Sequence, residues 1–444
     1  MRTDAVSELK PAPQPRRGQI LAWLIILVMV ALLIAANAVR AGTSSNEGAV
    51  TDLRMKIMAQ EAIASRSLSA DQGLRVMKEM ESEARSPEDK VRVAILSGYL
   101  QGKAAALSKL DISPGAQSAP EVTRDLAALH TIYMDGTRAL RPGEAGRLIR
   151  RYEYFGRMAL ASDRRQVDEA RKSIDRAARR TFFLLGVLAA GMLGLVGVSL
   201  GLSVTAIVCW RKGKIRPGYV SQPDGSAAYL KGFALYLVLF VLLGLAIRWV
   251  GLSSPSWNWV AWLIIPAVIL IIVRTAGPAE DWRTALGWYS GRGWWWEFAS
   301  GIAGYLACLP IVGAGILVTV ILIRITGTVP RDAITPLLQG NILVLYGIAC
   351  VWAPVLEETM FRGALFHHLR GRWGWAFSAA VVSCLFAVIH PQGWAAIPAL
   401  GSIAMSLAAL REWRGSIIAP MAAHAFNNFL VITLALALLR GSGS

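Results

Sequence analysis

Ile20 to Val39 is a run of twenty residues without a single charge. As a helix it is about 30 Å long, the thickness of the hydrocarbon layer of a bilayer. Lipid offers no partner to a backbone N–H or C=O, so only helices and closed barrels can span it. Eight further apolar segments follow, at about 181–209, 230–250, 257–273, 298–325, 341–368, 374–390, 395–410 and 416–439. The fold class read from them is all-α, a polytopic membrane helix bundle of about nine spans.

One long stretch does not fit lipid. Residues 41–180 hold 24 Lys/Arg and 19 Asp/Glu, while 181–444 hold only 8 acids. No tryptophan occurs between Arg40 and Cys209. Val91, Ile95 and Tyr99 recur at helical spacing, as do Val122, Leu126, Leu129 and Tyr133, and Leu148, Tyr152 and Phe155. These stripes predict a soluble all-helical domain inserted after the first span. Pro87, Pro120 and Pro142 sit where helices could begin, and Ser162-Asp163 could cap a last helix. The domains expected are a basic tail at 1–19, an anchor at 20–39, the helical domain at 41–180 and a membrane domain at 181–440.

The formal net charge of +17 invites a nucleic-acid reading, but no finger, basic helix fork or RNA-binding signature accompanies it. Excess Lys/Arg in cytoplasmic loops orients membrane helices instead. Arg2, Lys10, Arg16 and Arg17 precede the first span and Arg40 alone follows closely, placing the N-terminus inside and 41–180 outside the cytoplasm. Three connections predicted to be cytoplasmic carry basic clusters: Arg211, Lys212, Lys214 and Arg216; Arg370 and Arg372; Arg411 and Arg414. Arg171, Lys172, Arg176, Arg179 and Arg180 stand on the opposite side, in a translocated domain where that rule is weak. Ala36-Asn37-Ala38 resembles a signal cleavage site, yet the apolar run exceeds a signal core and reads as an anchor. Trp294-Trp295-Trp296 reads as an interfacial anchor. The cysteines Cys209, Cys308, Cys350 and Cys384 all lie in apolar runs, so no disulfide framework is expected.

Ionisable groups inside a bilayer cost about 2.5–3.5 kcal/mol each on insertion scales, and are functional candidates for that reason. Glu357, Glu358 and Arg362 lie in Pro354-Val355-Leu356-Glu357-Glu358-Thr359-Met360-Phe361-Arg362. His390 closes Phe386-Ala387-Val388-Ile389-His390, and His424 and Asn428 lie in one turn of the last segment. Glu358 and Arg362 are four apart and can form an ion pair. Glu357 points about 100° away and is free for another task. Glu357 lies 14 residues before the turn at Gly371 and His390 lies 19 after it, so their depths differ by only about 7 Å. Phe386 can wall the same pocket, and Pro354 and Pro420 can bend helices around a wet cavity. His367-His368 read as interfacial. Hydrolysis suits this set, because a carboxylate in an apolar cavity is a usable general base for water. His424 and Asn428 supply donors for a developing oxyanion.

E-E-x-x-x-R, F-x-x-x-H and H-x-x-x-N in this order on the last helices resemble the CPBP family, over about residues 230–440. That family contains the type II CAAX prenyl endopeptidases and the bacterial Abi-type immunity and processing proteins. The resemblance implies an intramembrane endopeptidase in which Glu357 and His390 activate water and His424 and Asn428 stabilise the oxyanion. Glu358 and Arg362 fall on the remaining positions of the first motif, with Phe386 beside them in support. Relatives have been described both as metalloproteases and as metal-independent glutamate peptidases. No cofactor is fixed by the sequence; a divalent metal such as zinc is the one to consider, with Glu357, Glu358, His390 and His424 as ligand types it accepts. The expected partners are a membrane protein or peptide substrate, the lipid bilayer and a protein bound by 41–180, with no nucleic acid. The Ala-, Arg- and Gly-rich usage and the spread of the family point to a bacterial inner membrane. Two other classes fit the same residues: a non-catalytic immunity or scaffold protein, and a proton-coupled transporter, which lacks its usual two-fold repeat here.

Overall fold

The computed structural model describes residues 17–41, 46–111, 120–161, 167–221, 227–250, 281–331 and 341–441. The expected span at 257–273, most of the basic tail and the Ser162-Asp163 cap lie outside the described residues. Among those described, the chain is all-helical. It forms two compact units, one of residues 1–44 and 194–433, the other of 45–193 and 434–444.

The second unit holds α2 (Asn46–Arg66), α3 (Ala70–Glu83), α4 (Pro87–Gln101), α5 (Lys103–Asp111), α6 (Pro120–Met134), α7 (Glu144–Tyr152), α8 (Tyr154–Leu160) and the first part of α9 (Val167–Arg211). Proline starts α4 and α6, where its fixed φ and missing N–H cost nothing. Pro142 instead precedes α7 by two residues. Ser86 closes a capping box at α4: its hydroxyl accepts from Asp89 N while Asp89 Oδ2 accepts from Ser86 N, both at 3.1 Å. The three sequence stripes meet in one core, where Ile95, Leu129 and Leu148 are fully buried. Buried Asp125 is held by Arg147 Nε at 2.9 Å and faces Arg151 Nε at 3.4 Å.

The first unit is built for lipid. Among the described residues seven helices are long and apolar enough to cross a membrane: Arg17–Asn37, Glu169–Arg211, Ala227–Ala246, Trp294–Thr326, Ile342–Arg370, Trp394–Arg414 and Ile418–Leu438. They belong to α1 (Arg17–Ala41), α9, α10 (Ala227–Trp249), α12 (Trp294–Thr326), α13 (Ile342–Arg370), α15 (Ile397–Arg414) and α16 (Ile418–Gly441). Short α11 (Trp282–Leu286) and apolar α14 (Trp375–Ile389) complete the set. At 15 residues α14 is about 22 Å long and too short to cross alone. It packs one face into the bundle, with Val382 and Ala379 fully buried, and leaves Trp375 and Phe377 exposed. Its core partners are Ile26 of α1, Phe233 of α10, Phe361 of α13 and Ala404 of α15. The N-terminal helix is therefore a wall of the core as well as an anchor.

Lipid-embedded helices gain little from excluding water from each other and associate by close packing, which favours small residues at their contacts. Gly301 of α12 sits so near α16 that a Cβ would fall 2.2 Å from the Ala419 carbonyl oxygen. A Cβ on Gly315 would come within 2.5 Å of the Pro398 carbonyl oxygen of α15. Arg414 clamps Glu297 with both nitrogens, at 2.9 and 2.6 Å, and Arg370 clamps Glu412 at 2.9 Å twice. Arg370, Arg411 and Arg414 thus do more than mark a cytoplasmic loop. Arg411 is fully buried and donates to the carbonyls of Arg362 and Ala285.

The α12–α16 contact can be tested by adding bulk. Gly301→Val is expected to force the two helices apart and lower the melting temperature of the detergent-solubilised protein. Gly313→Ala, on the same helix with nothing within 4 Å of its Cβ, is expected to be neutral or to stabilise by up to about 1 kcal/mol through helix propensity. Fluorescence-detected size exclusion after heating reads both.

Candidate active site

Two wide, π-type turns shape the helix that carries the first motif, at Ile348–Trp352 and Thr359–Leu365. Such turns are rare and gather at functional sites. Pro354 gives a cause for the first one, since its ring cannot donate and crowds the carbonyl four residues back. Side chains from other helices take carbonyls of both turns. Asn428 Nδ2 donates to Ala349 O at 2.7 Å, and Arg411 Nε to Arg362 O at 3.2 Å. The widened turns thereby fix α13 to α16 and α15.

Glu358 and Arg362 lie between those attachments, each with a fully buried side chain. Arg362 Nη1 donates to Glu358 Oε1 at 3.0 Å, and Nη2 to Ala404 O at 2.8 Å. The guanidinium lies 4.8 Å from the centre of the Phe386 ring. Sequence spacing gave Glu358 one partner, and the structure adds a second. His424 Nδ1 lies 2.9 Å from the same Oε1, which orients the imidazole and turns Nε2 the other way.

That Nε2 faces Glu357. It lies 3.9 Å from Glu357 Oε2, and His390 Nε2 lies 4.0 Å from the same oxygen. Glu357 Oε2 is buried and makes no direct hydrogen bond. His390 is anchored in its turn, with Nδ1 2.5 Å from Phe386 O. A carbonyl can only accept, so this nitrogen carries the proton and Nε2 of the neutral ring presents a lone pair. Pro391 disfavours the helical conformation for the residue before it, and His390 has φ −72° and ψ 143°, ending α14 there. Asn37 of α1 donates from Nδ2 to His390 O at 3.3 Å. The Phe386 ring stands 4.2 Å from that of His390 and 6.1 Å from that of His424, an apolar wall between the two imidazoles.

The structure therefore brings together Glu357, His390 and His424, with Glu358, Arg362 and Phe386 directly behind them. Asn428 is placed differently. One of its amide hydrogens is engaged on Ala349 O, and its Oδ1 accepts from Asn427 Nδ2 at 3.2 Å. Asn427 Oδ1 in turn accepts from Tyr305 at 2.7 Å. The sequence reading named Asn37 only within a cleavage-like string and Arg411 only as a basic loop residue, and it did not single out Tyr305 or Asn427, the latter of which carried a signal in its place inside H-x-x-x-N. His367 and His368 are corrected from interfacial to buried, 2% and 1% exposed. His367 Nδ1 meets the hydroxyl of Tyr219 at 2.8 Å, under a ring cluster with Tyr229. Burial pushes the Tyr219 hydroxyl up to about 12, so Tyr219 stays neutral and the contact is an ordinary hydrogen bond.

Two imidazole nitrogens and one carboxylate oxygen are donors that zinc accepts. Ligands on one tetrahedral zinc with bonds of about 2.0–2.1 Å stand roughly 3.4 Å apart, and the 3.9 and 4.0 Å separations exceed that. Glu358, the fourth ligand considered, is turned onto Arg362 and His424. Among the described residues no group of three or more His, Cys, Asp and Glu has metal-holding geometry.

A buried carboxylate faced by two oriented imidazoles, on helices apolar enough to cross a bilayer, defines a membrane-embedded polar site of the kind hydrolases use. The comparison with known families is specific about the class. The model of the type II CAAX prenyl endopeptidase Rce1-like family matches residues 339–430. The match gives residues 339–430 a similarity to Rce1-like domains, in line with the CPBP resemblance that the three motifs carry. It carries all three motifs and is shorter than the 230–440 expected. No curated protein and no solved structure matches the chain.

Removing one partner of a buried ion pair leaves the other uncompensated. Arg362→Met is expected to cost about 3–5 kcal/mol, read as a fall in thermal stability in detergent. The double variant Glu358→Gln/Arg362→Met should recover a large part of it, because neither charge then remains.

Proposed function

We propose that the protein is an intramembrane endopeptidase that hydrolyses a peptide bond of a membrane-associated protein or peptide. The observation that carries this is the convergence of His390 Nε2 and His424 Nε2 on one buried, otherwise unbonded oxygen of Glu357. Separations of 3.9 and 4.0 Å are too long for direct hydrogen bonds and suit a water that touches the carboxylate and an imidazole together.

In the proposed reaction Glu357 takes a proton from that water while the oxygen attacks the scissile carbonyl carbon. The carbonyl π electrons move onto oxygen. His390, fixed by Phe386 O, accepts a hydrogen bond from the water and aims its lone pair at the carbon. His424, when protonated, donates from Nε2 to the developing oxyanion, with Glu358 holding its other nitrogen. Asn428 has one amide hydrogen left for the same oxygen. Collapse of the tetrahedral intermediate breaks the C–N bond, Glu357 passes its proton to the departing amine, and a carboxylic acid and an amine are released. Glu358 and Arg362 position His424.

Being a multi-pass protein, it meets its substrate in or at the lipid; the bacterial inner membrane is the location proposed, on the composition noted above. A scaffold has no need of two imidazole nitrogens aimed at one carboxylate oxygen without bonding it, which is why hydrolysis is preferred.

The test compares protein N-termini in membranes of cells carrying the wild type, Glu357→Gln or His390→Ala. Loss of a general base slows hydrolysis by about 10²–10⁴-fold, so termini created by the wild type should disappear in both variants while each protein keeps its melting temperature. Identical termini in wild type and folded Glu357→Gln would overturn the reading.

A further inference from the structure

The helical unit of residues 45–193 contains a cleft of its own, of about 560 Å³. Arg66 at the end of α2, Tyr99 near the end of α4, and Arg171, Asp175 and Arg179 of α9 line it. The three α9 residues are four apart and share one face of the helix. Elsewhere in this unit Arg54, Arg92, Arg147 and Arg151 are paired with carboxylates. Among the described residues Arg66, Arg171 and Arg179 make no ion pair. Asp175, the only acid lining the cleft, accepts a hydrogen bond from Tyr99 at 2.8 Å. Arg171 lies over the Tyr99 ring at 5.2 Å. Burial, reinforced by the bond to Asp175, raises the Tyr99 hydroxyl above its ordinary range, so it remains a neutral wall. The cleft carries three cations against one engaged anion.

Its position selects the ligand. Arg179 stands two residues before Thr181, where α9 turns apolar, and from there to Leu193 the helix exposes Phe183 at 73% and Leu193 at 74%. Such a surface belongs in lipid. Arg179 then lies about 3 Å along the axis from the hydrocarbon and Arg171 about 15 Å. A headgroup layer about 5–8 Å deep starts at that boundary, so Arg179 stands within it and Arg171 on its water side, over Tyr99.

We propose that this cleft binds the phosphate group of an anionic bilayer lipid, with Arg171 and Arg179 as the principal donors and Arg66 completing the charge. Arginine suits the task because its planar fork meets phosphate oxygens in pairs. The site would tie the helical domain to the leaflet it faces. It is independent of the hydrolytic reading: the cleft belongs to the unit that contains none of Glu357, His390 and His424.

The test uses the full chain in nanodiscs of phosphatidylcholine, with or without phosphatidylglycerol, and reads amide exchange at 63–67, 98–102 and 170–180. Phosphatidylglycerol should slow exchange in all three segments. Arg171→Gln/Arg179→Gln should weaken the lipid dependence about 30-fold, about fivefold for each arginine lost (~1 kcal/mol each), without changing exchange in the α6 core. Protection that survives in the double variant would overturn the proposal. So would equal protection by inorganic phosphate in phosphatidylcholine discs, which would point to a soluble ligand, or protection by polyglutamate and not by phosphatidylglycerol, which would point to an acidic protein.

Discussion

One oxygen organises the membrane half of this protein. Glu358 Oε1 takes both Arg362 Nη1 and His424 Nδ1, and so binds two turns of α13 to the second turn of α16. A charge sealed from water survives only when paired and hydrogen-bonded, which makes the contact strict about geometry. If α16 slid by one residue His424 would leave Glu358, and if α13 lost its wide turn Arg362 would leave Ala404. Lipid-facing helices lack the hydrophobic drive that fixes soluble cores. A demanding polar contact is a suitable substitute for specifying which faces meet, and here it also settles which nitrogen of His424 is presented to Glu357.

The wide turns extend that argument. A regular helix hides its carbonyls in its own ladder and offers neighbours only side chains. On α13 the two π-type segments give Ala349 O to Asn428 and Arg362 O to Arg411. Arg411 is then enclosed by the chain around Gly287, whose φ of +83° suits glycine and where a Cβ would fall 2.3 Å from the guanidinium. The result is a continuous polar seam across α11, α13, α15 and α16. Glu357, whose carboxylate the two imidazoles face, stands beside this seam, and the side chains of Glu358, Arg362 and Arg411 within it are fully buried.

Much of this was legible because the bilayer limits the alternatives. Apolar run lengths gave the all-helical class, and helical spacing paired Glu358 with Arg362. Counting residues to the turn at Gly371 set Glu357 and His390 at like depth. The sequence could not carry what depends on azimuth and on backbone irregularity. Asn428 follows His424 by one ideal turn and looks equivalent to it, but a freed carbonyl on α13 claims its amide. Arg411 resembles any basic residue at a span end, and nothing local says that α11 supplies Ala285 O. His367-His368 lie beside Arg370 in sequence, while Tyr219 and Tyr229, nearly 150 residues earlier, are what cover them. Asn37 sits in a string resembling a cleavage site, and its bond to His390 O crosses more than 350 positions of chain.

The neighbours Glu357 and Glu358 show how one residue type is divided between two tasks. One residue along a helix is a rotation of about 100°, enough to send adjacent carboxylates into different surroundings. The Glu358 side chain is fully buried with Arg362, while Glu357 keeps 15% of its side-chain surface and His390 21%. Exposure thus rises from the pairing end of the cluster to the end where the imidazole nitrogens converge. The Phe386 ring packs against both His390, at 4.2 Å, and the Arg362 guanidinium, at 4.8 Å, and is itself buried. The charges that hold the helices in register are sealed off, while the carboxylate that the imidazoles face keeps some of its surface. A membrane bundle that admitted water any deeper would weaken the contact that assembles the site, so the Phe386 wall protects the architecture and the proposed chemistry together.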